Sequence, residues 1–273
     1  MSRAERLRIG FVQTDPEFGR TADNLARAAE LIAGAPEFDV LVLPELLGPG
    51  YSFRDRAELS GLAETADGPT VRMLRDAAQG RDAWLCGGFA ERDGDCIYNA
   101  AALVGPAGEI HIYRKIHLFD RETGMFTPGS RPFQSFEIQT GAGSVLVGMM
   151  VCFDWFFPES MRSLALAGAE VILHPSNLVK PYCQDAMVTR CLENGVFSVT
   201  ANRTGTDDRG DGLVDTFTGR SRIAGPRGRV LATASESGES VEVVEVDLRD
   251  ARDKRITARN DLLGSRRPGM YRG

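Results

Sequence analysis

Short apolar segments alternate with amphipathic helical patterns along most of the chain, and this alternation restricts the possible folds more than any other feature. The apolar runs 7–13 and 39–44 flank residues 21–35, where apolar side chains recur at the spacing of a helix face. The same strand–helix order returns between residues 144 and 201. Strands that alternate with helices predict a layered α/β fold with a largely buried mixed sheet.

The other elements are predicted from apolar periodicity and from the turn residues that separate them. Pro69 suits the first turn of a helix, and Gly80 suits its C-terminal end. The Gly- and Asp-rich stretch 207–215 predicts a mobile surface loop. Further helices are expected at 69–79, 158–167 and 182–194, and strands at 83–90, 96–104, 109–118, 144–153, 170–174, 196–201, 222–224, 230–234 and 241–248.

Charge is unevenly distributed along the 273 residues. The chain carries a formal charge of −6, whereas residues 249–273 hold eight Lys and Arg against three Asp, a net +5. Nucleic-acid and membrane-surface binders need cationic patches for phosphate groups, so the acidic body argues against both kinds of partner. No Pro-, Ser- or Gly-rich linker divides the chain, so we expect residues 1–273 to form a single domain. The basic tail 249–273 is expected to dock on protein.

Cysteine and histidine usage argues against a disulfide framework and against a metal site. The five cysteines are irregularly spaced without a C-x-x-C pair, and the three histidines form no ligand pattern with them. No run of about 18 apolar residues is present, and the N-terminal segment lacks the apolar core of a signal peptide. These features predict a reduced, cytoplasmic protein without a metal ion.

Common catalytic templates are missing from the sequence. Gly50-Tyr-Ser52-Phe-Arg lacks the closing glycine of a nucleophile elbow. There is no P-loop, and no G-x-G-x-x-G turn follows a strand, so no nucleotide cofactor is expected. Histidine is too scarce to identify a Cys–His pair, although His174 beside a strand end leaves that arrangement open.

Three predicted strands each end in a chemically reactive side chain. Glu45 follows the strand at 39–44, Lys115 ends the run 109–115, and Cys152 ends the run 145–152. Ligands of layered α/β sheets bind at the carboxyl ends of strands. A carboxylate there can take the proton of a thiol, and an ammonium can stabilise the oxyanion that forms when the thiolate attacks a carbonyl. A lone cysteine in such a run is otherwise a small core residue.

The segments around these residues resemble the three signatures of the nitrilase superfamily of carbon–nitrogen hydrolases. They are Leu43–Tyr51, Tyr113–Phe119 and Val151–Glu159, and their reactive residues are 70 and 37 positions apart. The likeness continues through residues 174–177, 193–197, 200–203 and 254–268. The resemblance implies a four-layer α-β-β-α sandwich whose dimers pack face to face. The basic tail fits that picture, because it can reach an acidic partner subunit.

The resemblance also implies roles for individual residues. Cys152 would be the nucleophile and Glu45 the general base. Lys115 would stabilise the tetrahedral intermediate together with the backbone N–H of Phe153. Glu122 matches a second glutamate that the family often holds after the lysine, where it orients the substrate and the lysine.

Substrate-binding residues are less well defined by the sequence. Trp155 can line a pocket, although Phe157-Pro158 indicates that a helix begins directly after it. Asn177 can meet a polar substrate, as can Arg54 and Gln184.

The expected activity is cofactor-independent hydrolysis of a small non-peptide amide to a carboxylic acid and ammonia, through a cysteine thioester. A nitrilase that uses the same residues on a C≡N group is the second interpretation. A binding or scaffold protein that keeps the fold without activity is the third, and the complete Glu/Lys/Cys set argues against it. The expected partners are a small-molecule amide or nitrile and further copies of the chain, as a homodimer or a higher homo-oligomer.

Overall fold

The computed structural model describes residues 5–271 of the chain. Its strands are β1 (Arg6–Gln13), β2 (Val40–Val42), β3 (Trp84–Asp93), β4 (Cys96–Val104), β5 (Ile110–Arg114), β6 (Ser135–Thr140), β7 (Gly143–Met149), β8 (Val171–Ser176), β9 (Phe197–Asn202), β10 (Thr206–Asp208), β11 (Val214–Thr216), β12 (Arg222–Gly225), β13 (Arg229–Thr233), β14 (Ser240–Asp247), β15 (Arg255–Thr257) and β16 (Asn260–Asp261). Its α-helices are α1 (Thr21–Ala33), α2 (Arg56–Leu62), α3 (Pro69–Arg81), α4 (Pro158–Leu166), α5 (Cys183–Asn194) and α6 (Arg249–Arg252).

Most strands belong to two six-stranded mixed sheets. The first has the order β14-β1-β2-β3-β4-β5, and the second has the order β13-β12-β9-β8-β7-β6. Each sheet has three adjacent parallel strands, β1-β2-β3 in the first and β7-β8-β9 in the second. Antiparallel strands flank them on both sides. The parallel strands require helical crossovers, which α1, α3, α4 and α5 provide.

The two sheets pack face to face, and the alternation of side chains along each strand explains why. In β1, Leu7, Ile9 and Phe11 point into the core between the sheets, whereas Val12 points to the opposite face. Both faces of the central strands are therefore covered and apolar. This accounts for the nearly continuous hydrophobic runs in the sequence.

Helices cover the outer faces of both sheets. Apolar residues of α1 and α3 pack on the first sheet, while those of α4 and α5 join the core of the second. The layer order is helix, sheet, sheet, helix. The expected four-layer α-β-β-α sandwich is confirmed.

Several element boundaries differ from the predictions for local reasons. Helix α3 continues through Gly80 to Arg81, and Asp82, with a positive φ of 49°, caps it two residues after the glycine that was expected to end the helix. The strand predicted at 144–153 ends at Met149, before the chain turns sharply at Cys152. The strand expected at 109–118 is confined to Ile110–Arg114.

The stretch 207–215, predicted as a mobile loop, contains most of the short hairpin formed by β10 and β11. Arg203 makes two hydrogen bonds to the Asp207 carboxylate, at 2.9 and 3.1 Å, and stacks its guanidinium on Phe217 at 3.9 Å. Its charge is buried and paired, so these contacts fix the start of the hairpin. The sequence predicted a loop rather than a hairpin here, because apolar periodicity does not reveal a buried ion pair that lies outside a helix.

The beginning of the C-terminal tail lies against its own subunit. The Lys254 ammonium donates hydrogen bonds to the carbonyl oxygens of Asn194 and Gly195, at 3.2 and 2.6 Å, at the C-terminal end of α5. A cation at this end of a helix is favourable because the unsatisfied carbonyls carry partial negative charge. Farther along, Ile256 and Met270 expose 63% and 68% of their surface. The tail therefore carries apolar side chains that the rest of the described subunit does not cover.

Candidate active site

Glu45 lies in a tight loop after β2 that rests on the backbone of β3. Gly88 donates its N–H to the Pro44 carbonyl and accepts from the Leu47 N–H, each at 2.9 Å. A Cβ atom at Gly88 would lie only 2.4 Å from the Cα atom of Glu45. Only glycine permits this close approach, which delivers a carboxylate from a strand end into the protein interior.

Cys152 begins a short 3₁₀ helix (Cys152–Phe156) after β7 rather than ending the strand. Its φ angle is +41°, an uncommon value for a residue with a side chain. Such conformations persist where the surrounding structure holds them, and they concentrate at functional sites. Phe153 is the second residue of this turn, so its backbone N–H has no intrahelical acceptor.

The ammonium of Lys115 lies between two carboxylates. Its Nζ is 2.8 Å from Glu45 Oε1 and 2.8 Å from Glu122 Oε1. All three side chains are at most 2% exposed. Burial alone lowers the pKa of Lys115, but the Glu122 and Glu45 carboxylates outweigh it and raise the pKa above its ordinary value. Lys115 is therefore held in its charged form.

Cys152 shares the electrostatic environment of this cluster. Burial and the Glu45 charge raise the pKa of the Cys152 thiol well above its ordinary value, while the Lys115 charge opposes them. The resting side chain is therefore a thiol, which needs a base before it can attack. The structure thus brings the three strand-end residues and Glu122 together.

Three hydrogen-bond donors that the sequence did not identify complete the cluster. Asn99 donates to Glu45 Oε1 at 2.6 Å, Tyr51 donates to Glu122 Oε1 at 2.8 Å, and the Phe119 N–H donates to Glu122 Oε2 at 3.0 Å. Glu45 Oε2 is buried and has no hydrogen-bond partner within residues 5–271. One oxygen of Glu45 is thus fixed and the other is free to accept a proton.

A buried aspartate joins the nucleophile turn to the lysine loop. Asp154 accepts hydrogen bonds from the Tyr113 hydroxyl at 2.6 Å and the Val151 N–H at 2.9 Å. Its other oxygen accepts from the His117 N–H at 3.2 Å and lies 2.7 Å from His117 Nδ1. This one carboxylate therefore ties the loop after β5 to the turn after β7. His117, for which the sequence indicated no partner, belongs to this link.

His174 holds the backbone of the nucleophile rather than its thiol. Its Nε2 is 3.0 Å from the Cys152 carbonyl oxygen, which can only accept, so Nε2 carries a proton. Its Nδ1 is 3.0 Å from the Thr200 hydroxyl. Both ring nitrogens are occupied, so the Cys–His pair that the sequence left open is not formed.

A cavity of about 150 Å³ opens beside Cys152. Phe153, Trp155 and Asn177 line it, as the sequence analysis expected of substrate-binding residues. The rest of the wall is formed by Phe119, Phe156, Leu178, Val179, Lys180 and Tyr182.

Two further polar candidates lie away from the cavity wall. Gln184 donates to the Thr218 hydroxyl at 3.0 Å and to the Gly219 carbonyl at 3.1 Å. Arg54 donates to the Arg209 carbonyl.

Within residues 5–271 there is no cluster of three His, Cys, Asp or Glu side chains that could hold a metal ion. None of the helices in that range has the length and apolarity needed to span a membrane.

The buried imidazole predicts an acid-dependent loss of stability. Burial lowers the pKa of His174 from 6.5 to about 4, so between these pH values the unfolded chain binds a proton that the folded protein does not. The free energy of unfolding should therefore fall as pH decreases from 6.5 towards 4, by about 3 kcal/mol from this group. Denaturant unfolding across this range should give a shallower pH slope for His174→Gln. His111→Gln, at a half-buried ring, should keep most of the slope. An unchanged slope in His174→Gln would refute the assignment.

Comparison with known proteins shows the family of the chain. The sequence model of the carbon-nitrogen hydrolase family matches residues 8–256. A protein of Pyrococcus abyssi (strain GE5 / Orsay) named nitrilase is 45% identical over 268 residues, which cover 97% of this chain and 99% of that protein. An (R)-stereoselective amidase of Pseudomonas sp. is 39% identical over 93% of this chain and 89% of its own length.

A solved structure shows the same architecture. The crystal structure of a carbon-nitrogen hydrolase from Helicobacter pylori G27 superposes with a TM-score of 0.87 at 26% identity, covering 99% of this chain and 98% of that one. Together with the sequence matches, this establishes that the chain belongs to the carbon-nitrogen hydrolases of the nitrilase superfamily.

Proposed function

We propose that this hydrolase cleaves the C–N bond of a small carboxamide, giving a carboxylic acid and ammonia through a thioester on Cys152. The observation that supports this most directly is the buried cluster of Glu45, Lys115 and Glu122 beside the thiol, with one Glu45 oxygen free of partners. The cluster supplies a proton acceptor and a fixed positive charge at the same place. Residues 1–273 would act as one catalytic domain.

The first step is attack on the substrate carbonyl. Glu45 Oε2 takes the Sγ proton while sulfur bonds to the carbonyl carbon, and the C=O π electrons move onto oxygen. Lys115 and the Phe153 N–H stabilise that oxyanion. Because two carboxylates keep Lys115 charged, the positive charge is present before the reaction begins and costs no reorganisation.

The second step expels the amine. The oxyanion reforms the C=O bond, the C–N bond breaks, and the proton on Glu45 passes to the departing nitrogen, which leaves as ammonia. Water then loses a proton to Glu45 and attacks the thioester carbon. The thiolate leaves, recovers the proton and restores the resting state. The sum is one amide and one water converted to one acid and one ammonia.

A nitrilase reaction is the second candidate, and the 45% identical relative named nitrilase favours it. The same thiol would attack the carbon of a C≡N group. The residues described so far serve both reactions, so their arrangement does not separate the two.

The proposal is tested by ammonia release from matched amides, carbamoyl compounds and nitriles. Cys152→Ala should lower turnover by at least about 10³-fold because no other group in the cavity can form the thioester. Lys115→Ala should also lose turnover, since it removes the oxyanion's charge partner. Cys96→Ala is the matched control, because this half-buried cysteine lies outside the cavity, and it should keep the wild-type rate.

The outcomes separate the three interpretations. Amide turnover that Cys152→Ala loses supports the amidase, and a preference for nitriles supports the nitrilase. A Cys152→Ala protein with the wild-type rate contradicts the mechanism. If wild-type protein releases no ammonia from any of the substrates, the result favours a scaffold protein without activity.

We further propose that the partner of the tail is a second copy of the chain. The exposed apolar residues Ile256 and Met270 lie on a strongly basic segment, whereas the rest of the chain is acidic. Deletion of residues 255–273, which spares Lys254, should lower the mass measured by sedimentation equilibrium. Arg259→Ser changes a single exposed residue of the tail and serves as the control, so it should lower the measured mass less than the deletion does. An unchanged mass after the deletion would contradict the proposal that the tail binds a second copy of the chain.

A further inference from the structure

One side-chain atom of Asn177, a residue that lines the cavity, has no part in the reaction steps of Cys152, Glu45 and Lys115. The Asn177 side chain is 2% exposed, and its Nδ2 donates to the Glu45 carbonyl oxygen at 2.9 Å. A backbone carbonyl only accepts hydrogen bonds, so this contact fixes which side of the amide faces Glu45. Asn177 Oδ1 must therefore point away from that carbonyl. It is buried and has no hydrogen-bond partner within residues 5–271.

A buried acceptor without a donor is costly, and native structures rarely keep one without a function. The position of Asn177 suggests what the donor is. Its own backbone oxygen lies 3.8 Å from Cys152 Sγ, so the residue borders the atom that attacks the substrate. Within residues 5–271 no donor of the cavity wall, such as the Trp155 indole N–H or the Lys180 ammonium, makes a hydrogen bond to Oδ1. A bound substrate can therefore supply the hydrogen-bond donor that Oδ1 lacks.

We propose that Asn177 Oδ1 accepts a hydrogen bond from an N–H of the substrate's scissile nitrogen, and that this contact selects carboxamides and ureido-type carbamoyl compounds over nitriles and esters. This inference rests on the proposed function. A primary amide or ureido nitrogen carries two N–H donors, whereas a nitrile nitrogen and an ester oxygen carry none. A substrate without an N–H leaves the buried acceptor unsatisfied, and sites built around such a contact discriminate strongly.

The same contact would orient the leaving group. Glu45 Oε2 is also buried and unpartnered, as is Asn99 Oδ1, but Glu45 Oε2 is consumed when it takes the thiol proton and must then return that proton to nitrogen. Asn177 keeps its acceptor throughout. With one N–H held by Oδ1, the nitrogen lone pair that develops in the tetrahedral intermediate can turn towards protonated Glu45. Asn177 is thus a specificity-determining residue that contacts the substrate.

The test compares a primary amide with the methyl ester of the same acyl group. Both substrates form the same thioester, so later steps are shared, and loss of the Nδ2 contact to Glu45 affects both alike. In Asn177→Leu, the ratio of kcat/KM for amide to ester should fall by at least about 10-fold. Cys96→Ala, at a half-buried residue outside the cavity, should leave that ratio unchanged. A ratio within about 2-fold of wild type in Asn177→Leu would overturn the inference.

A binding measurement on a protein with Asn177 intact covers the case in which Asn177→Leu does not fold. Calorimetry with Cys152→Ala should show the primary amide binding at least about 10-fold more tightly than the nitrile of the same acyl group. Equal affinities would overturn the inference. Failure of the proposed function is distinguishable, because it would appear as wild-type protein that releases no ammonia from any amide. If wild-type protein turns over amides but Asn177→Leu keeps the wild-type amide-to-ester ratio, only the role of Asn177 is contradicted.

Discussion

The buried ammonium of Lys115, held between Glu45 and Glu122, is the interaction on which the rest of the site depends. Removing three charges from water is expensive, and mutual attraction repays that cost only when the remaining lone pairs also find donors. Asn99 and Tyr51 supply such donors. Taking away Lys115 would leave two buried carboxylates without a cation. The cluster is therefore better explained as a fixed positive charge for a reaction than as a source of stability.

Packing of the two sheets brings this charge to the thiol. Glu45 and Lys115 follow strands of the first sheet, whereas Cys152 and Asn177 follow strands of the second. The site thus exists only while the apolar faces of both sheets remain in contact. Contacts that cross this boundary reinforce the arrangement: Asp154 accepts from Tyr113 at the end of β5, and Asn177 donates to the Glu45 carbonyl.

The sequence predicts the layers and the reactive residues but not the contacts that position them. Strand-end placement groups Glu45 with Lys115, because the carboxyl ends of strands that run in the same direction meet at one edge of a sheet, whereas Cys152 joins them only through the packing of the two sheets. Asn99 lies within an apolar strand, where no local signal separates a site residue from a core residue. The positive φ of Cys152 is a property of the backbone, and the Arg203–Asp207 pair lies outside any helix although its residues are only four positions apart, so apolar periodicity cannot reveal either.

Partitioning with hydroxylamine tests whether amides are cleaved through an acyl group on Cys152. A thioester can be attacked by water, giving the acid, or by hydroxylamine, giving the hydroxamate. If both an amide and the methyl ester of the same acyl group pass through one thioester, their ratios of hydroxamate to acid must be equal at every hydroxylamine concentration. Direct attack of water on the substrate would contradict the account, because it would make the ratio depend on the leaving group or give no hydroxamate.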